Sequence, residues 1–133
     1  MPRTPLTYAT LLAALLVLDL AWIMGIARPW YQAGIGHLMA AEPALGAALA
    51  FYLLYPAGLL VFGVSPDAGR TGLQAAAKRG AAFGFFCYAT YDLTNLATLR
   101  DWPIGLALLD MAWGTAVSAV CALLGRRVWE RAR

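Results

Sequence analysis

Four stretches of this chain, 8–26, 44–62, 81–99 and 104–124, are each apolar over about 20 residues. At about 1.5 Å per residue, that is enough α-helix to cross a hydrocarbon core about 30 Å thick. A chain of 133 residues that is 62% hydrophobic and 13% charged, with a mean hydropathy of +0.66, carries more apolar surface than one small soluble core can hide. We therefore expect an all-α, polytopic membrane protein, a bundle of four transmembrane helices forming a single domain over residues 1–133. The first stretch follows Arg3 in the manner of a secretion signal. It runs too long, contains Asp19 and lacks an A-x-A-like cleavage site, so it reads as a retained helix.

The net charge of +3 does not gather on one face as nucleic-acid binding would require, because the charges stand at the ends of the apolar runs. With four crossings, the N-terminus, the middle connection and the C-terminus share one side. That side holds Arg3, Arg70, Lys78, Arg79, Arg126, Arg127, Arg131 and Arg133, against Arg28 and Arg100 on the other. Eight basic residues against two is a positive-inside pattern that puts both termini in the cytoplasm. Three or five crossings would spoil it.

The connections differ in chemistry. On the cytoplasmic side, Ser65 to Gly72 (SPDAGRTG) is turn sequence. On the other side, Pro29 to Glu42 is aromatic and apolar but too short to cross, and is expected to lie in the interface between the first two helices. Glu42-Pro43 marks the expected start of the second helix. Arg100, Asp101, Trp102 and Pro103 form a tight turn before the last helix.

Inside the spans, Asp19, Asp92 and Asp110 interrupt the apolar sequence. An ionised carboxylate in hydrocarbon costs roughly 2.5 to 3.5 kcal/mol on insertion scales, so such a group normally has a partner or a task. Asp19 and Asp92 lie seven residues before the outer ends of their spans and Asp110 six after the start of its own. All three therefore sit roughly 10 Å below the same boundary. Tyr52 and Tyr55 of the second span fall near that layer. In the third span, Gly80, Gly84, Tyr88, Tyr91, Asp92, Asn95 and Leu99 recur at intervals of three and four, one stripe of a helix. Gly80-x-x-x-Gly84 would let another backbone approach closely. Asp110, Gly114, Ser118 and Cys121 form a comparable stripe in the fourth span, and Asp19 shares a face with Trp22 in the first.

The plainer account is that these polar groups only hydrogen-bond across packed helices, each worth below about 1 kcal/mol. It weakens for three carboxyls in one layer, since no lysine lies in any span and the nearest cations are Arg28, Arg100 and His37. Either water reaches the layer or at least one carboxyl holds its proton. Both describe a polar cavity open to one side, with Asp19, Trp22, Tyr91, Asp92, Asn95, Asp110 and Trp113 as candidate binding residues. Tyr55-Pro56 in mid-span offers a kink and a freed carbonyl, or simply packs.

Other chemistries find no support. One histidine, His37, cannot build a histidine-rich iron site, and Cys87 and Cys121 read as small buried residues. There is no phosphate loop, nucleophile elbow or Cys-x-x-Cys, so no metal or cofactor is expected. Trp30, Trp102 and Trp129 fit an interfacial belt, whereas Trp22 and Trp113 lie deep enough to wall a pocket. A short internal echo pairs Asp19-Leu20, Arg28 and Trp30 with Asp92-Leu93, Arg100 and Trp102 at offsets of 73 and 72 residues. Parallel halves can frame a carrier site. Arg and Trp favour interfaces in any case, so the echo does not establish a duplication. A second echo, residues 18–22 against 109–113, joins helices of opposite direction.

The run YATYDLTNLATLRDWP from Tyr88 to Pro103, with Tyr55-Pro56 and Asp110-x-x-Trp113-Gly114, resembles a family of small bacterial four-helix integral membrane proteins catalogued as a domain of unknown function. The resemblance covers nearly the whole chain and implies a bacterial inner-membrane protein with this span count. It carries no activity, substrate or catalytic residue. The residues themselves favour a bundle that binds or transports a proton, a cation or a small amphipathic molecule, and a homodimer would enlarge the small volume four helices enclose. The alternatives are a metal-free lipid or isoprenoid enzyme using paired carboxyls as acid and base, and an accessory subunit of a membrane complex.

The charge asymmetry predicts the orientation directly. A green fluorescent protein fused after the C-terminus should fluoresce, and alkaline phosphatase at the same position should be inactive; active phosphatase there would invert the topology.

Overall fold

The computed structural model describes residues 2–66 and 72–132. The centre of the turn expected over 65–72, with Arg70, lies outside the described residues, as does Arg133. Every regular element among the described residues is helical. The first rod is α1 (Arg3–Leu20), a π-helical stretch (Ala21–Ala27), α2 (Arg28–Ile35) and a closing 3-10 turn (Gly36–Leu38). The second is α3 (Leu45–Gly58) running into another π-helical stretch (Leu59–Val64), and α4 (Leu73–Thr98) and α5 (Ile104–Arg131) complete the chain.

Three rods, Arg3–Leu38, Leu45–Val64 and Ile104–Arg131, are long and apolar enough to cross a membrane. α4 is long enough at 26 residues, but Lys78, Arg79, Asp92, Asn95 and its threonines make it more polar. The segment expected to lie in the interface is helical over Arg28–Ile35 and continuous with α1. α3 begins at Leu45, slightly beyond the expected Glu42-Pro43 start.

α4 and α5 form the centre, antiparallel and with little between them. A Cβ on Gly80 would meet Ala122 and the Ser118 carbonyl, and one on Gly84 would meet Ser118 and the Gly114 carbonyl. At Gly114 the space is filled by the Tyr88 ring. Membrane helices gain little from hydrophobic association, so close packing of small residues is what joins them. The register is regular. Residue 80 faces 122, 84 faces 118 and 88 faces 114, each step one helical turn. The next pair in that series is 92 with 110.

α1 presents Thr7, Leu11, Leu15 and Asp19, all buried and four residues apart, as one ridge. Leu11 also fills the notch left by Gly125 of α5. The core continues through Tyr55, Leu59, Val117 and Cys121. At the end carrying both termini, the second rod is anchored through its last carbonyls. Arg79 Nε donates to the Gly63 carbonyl at 2.9 Å, and buried Arg126 donates to that of Val64 at 2.7 Å while pairing with Glu130 at 2.8 Å. Cations at a helix C-terminus also oppose its dipole. Arg3 lies over the Trp129 ring at 3.9 Å. At the opposite end Leu45 and Leu49 of α3 are exposed.

Gly114→Ala should destabilise the protein by about 1–3 kcal/mol through overpacking against Tyr88. Gly46→Ala, with open space around its backbone, should leave stability unchanged or slightly raised. Unfolding by sodium dodecyl sulfate from mild-detergent micelles measures both.

Candidate functional site

A half-open cavity of about 780 Å³ lies toward the end opposite the termini, walled mainly by the first rod and α5. Its wall takes Asp19 from α1, Trp22 from the π-helical stretch, Arg28, Tyr31 and Gln32 from α2, Phe51 from α3, Tyr88 from α4, and Asp110 and Trp113 from α5. The 36–43 connection, through Met39 and Pro43, closes one side. Most of the lining is apolar, and two carboxylates stand there against one guanidinium.

Each carboxylate is held by aromatic donors. Asp19, 5% exposed, accepts hydrogen bonds from the Tyr52 hydroxyl and from Trp113 Nε1, the latter at 3.1 Å. Asp110 accepts one from Tyr31 at 2.6 Å, and Trp22 Nε1 donates to the Tyr31 oxygen at 3.5 Å. The Trp22 and Trp113 rings are stacked, with centroids 4.5 Å apart and planes within 5°. Two short networks, one per carboxylate, are thus clamped together by a pair of indoles. Behind Tyr88 the Tyr55 and Ser118 hydroxyls meet at 2.6 Å, and the Tyr55 ring packs edge-on against Tyr88.

Of the seven candidate residues, the structure brings Asp19, Trp22, Asp110 and Trp113 to the cavity. Asp92 is just behind the wall, 1% exposed, beside Asp110 and Trp102, yet neither of its oxygens reaches hydrogen-bonding geometry with a partner. Tyr91 turns outward, 55% exposed, with its ring edge-on to Trp102 at 5.7 Å, and half-buried Asn95 lies beside it. Neither belongs to the cavity wall. Among the described residues, no three His, Cys, Asp or Glu side chains gather as a metal site would need.

Tyr31 has no counterpart among the sequence-derived candidates. Twelve residues of ideal α-helix make about three and a third turns, which would leave Tyr31 about 120° away from Asp19. The stretch Ala21–Ala27 between them is π-helical, with more residues per turn, and the difference brings both side chains to the same cavity. Such wide turns are frequent where side chains must be re-aimed at a site.

Long apolar helices and no strand among the described residues define an all-α membrane protein. The sequence profile of the family described as "Predicted membrane protein (DUF2177)" matches residues 4–127, and the chain belongs to that family. No curated protein and no solved structure matches it.

Tyr31→Phe leaves the Asp110 carboxyl without this donor and should lower stability by about 1–3 kcal/mol. Tyr91→Phe should be silent. Thermal melting in lipid nanodiscs separates them; equal shifts would mean that the Asp110 network contributes nothing.

Proposed function

We propose that the protein crosses the bacterial inner membrane four times with both termini in the cytoplasm, and that its cavity, open toward the outer side, binds a small amphipathic molecule with a cationic head group for passage or retention in the membrane. Eight basic residues on one side of the chain against two on the other support the orientation. α4, more polar than its neighbours, would cross inside the bundle, its glycine face against α5.

The observation that carries the ligand reading is the composition of the wall. Asp19 and Asp110 outnumber Arg28, the stacked Trp22 and Trp113 rings lie between the two carboxylates, and apolar side chains such as Ile23, Met24 and Phe51 surround them. Carboxylates and indole faces attract a cation together, and the apolar remainder suits a hydrocarbon body. A volume of about 780 Å³ also falls in the range of about 300–1,000 Å³ usual for small-molecule sites.

Tetraphenylphosphonium is a suitable probe, since it is cationic and apolar and would quench the tryptophans in the wall. In nanodiscs it should bind saturably, and Asp19→Asn or Asp110→Asn should each weaken it at least tenfold. Tetraphenylborate, an anion of the same shape, should not compete. Equal binding of both ions would defeat the proposal.

A further inference from the structure

Asp92 stands out among the buried polar groups. It is 1% exposed, at the level of the cavity, and among the described residues no donor meets hydrogen-bond geometry at either oxygen, the nearest being the Trp102 indole, whereas Asp19 and Asp110 both have donors. The titratable groups that face it are Asp110 from α5, Tyr31 from α2 and Tyr91 on its own helix. The other neighbour is the Trp102 indole, whose N–H is likewise buried and unpartnered. No element packed here supplies a cation to Asp92 in that set. The α4–α5 register makes the carboxyls neighbours by construction, since 92 and 110 continue the series 84 with 118 and 88 with 114.

A buried carboxylate with neither a cation nor an aligned donor is strongly disfavoured in its ionised form, and two adjacent carboxyls resist double ionisation. We propose that Asp92 and Asp110 hold one proton between them, and that this proton is exchanged for the cationic head group that the cavity takes up at Asp110. The exchange half rests on the cavity reading above; the proton site does not.

The exchange balances. With one proton the pair carries a single negative charge. When the cation arrives, the carboxyl O–H bond breaks, the proton passes by way of Asp110 to water at the cavity mouth, and the bare pair with one bound cation again carries a single negative charge. Because Asp110 lines the cavity and Asp92 does not, Asp110 meets the ligand and Asp92 is the proton store behind it.

Two measurements on the wild-type protein in nanodiscs test this without any variant. The infrared spectrum at pH 7 should contain a protonated-carboxyl C=O band that shifts when aspartate is labelled with carbon-13, although water-exposed carboxyls are ionised there. Adding tetraphenylphosphonium should remove the band and release one proton per cation bound into a weakly buffered medium. By linkage, raising the pH favours release, so affinity should rise tenfold per pH unit while the pair is protonated. Asp92→Asn should lose both the band and that slope while still binding the cation. Absence of the band at pH 7 overturns the proton site. Binding without proton release overturns the exchange alone. No binding at all, with the band present, overturns the cavity reading and the exchange while upholding the proton site.

Discussion

The close approach of α4 and α5 determines the rest of the architecture. Glycines at 80, 84 and 114 remove the side chains that would hold the two backbones apart, and Tyr88 drops into the notch over Gly114. With that ring seated, 80 faces 122, 84 faces 118 and 88 faces 114, and a Cβ at any of the three glycines would run into the other helix. Everything one turn further on is then settled too. Asp92 must come beside Asp110, and Trp113, one residue before the notch, must point toward α1, where it meets Asp19. A packing contact with no polar chemistry of its own thus sets the polar centre.

The polar centre is built from aromatic side chains more than from charge pairs. Tyr52 and Trp113 hold one carboxylate, Tyr31 holds the other, and Trp22 stacks on Trp113 while donating to Tyr31. Phenols and indoles provide hydrogen-bond donors without introducing cations that would neutralise the site, and their rings supply apolar wall at the same time. The result sets two acidic side chains and the Arg28 guanidinium in a wall that is otherwise mostly apolar.

Much of this was legible in the sequence because α-helical periodicity governs α4 and α5 from end to end. The stripe through Gly80, Gly84, Tyr88 and Asp92, and the matching one through Asp110, Gly114, Ser118 and Cys121, can be counted off in threes and fours. The same stripe is too broad at its outer end, however, and took in Tyr91 and Asn95, which lie on the flank that turns away from the cavity. The first rod was harder. From Pro29 to Glu42 the sequence is aromatic and apolar but too short to cross, which reads as an interfacial segment. Here it follows directly on a π-helical stretch, where the bonding pattern has already shifted, and the helix runs on to Ile35. No local composition announces that shift, so Tyr31 and Gln32 fell in a segment expected to lie in the interface, and Arg28 was read as a cation at its edge, instead of in a cavity wall.

That π-helical stretch also makes the first rod a phased object. Asp19 belongs to one helical lattice and Tyr31 to another, rotated against it by the wider coil at Ala21–Ala27. The azimuth of α2 is therefore stored in a few residues of backbone pitch, while α1 is keyed independently into the notch at Gly125. Gaining or losing a single residue within that coil would rotate the whole α2 segment like a screw, sweeping Arg28, Tyr31 and Gln32 out of alignment without disturbing the seat of α1.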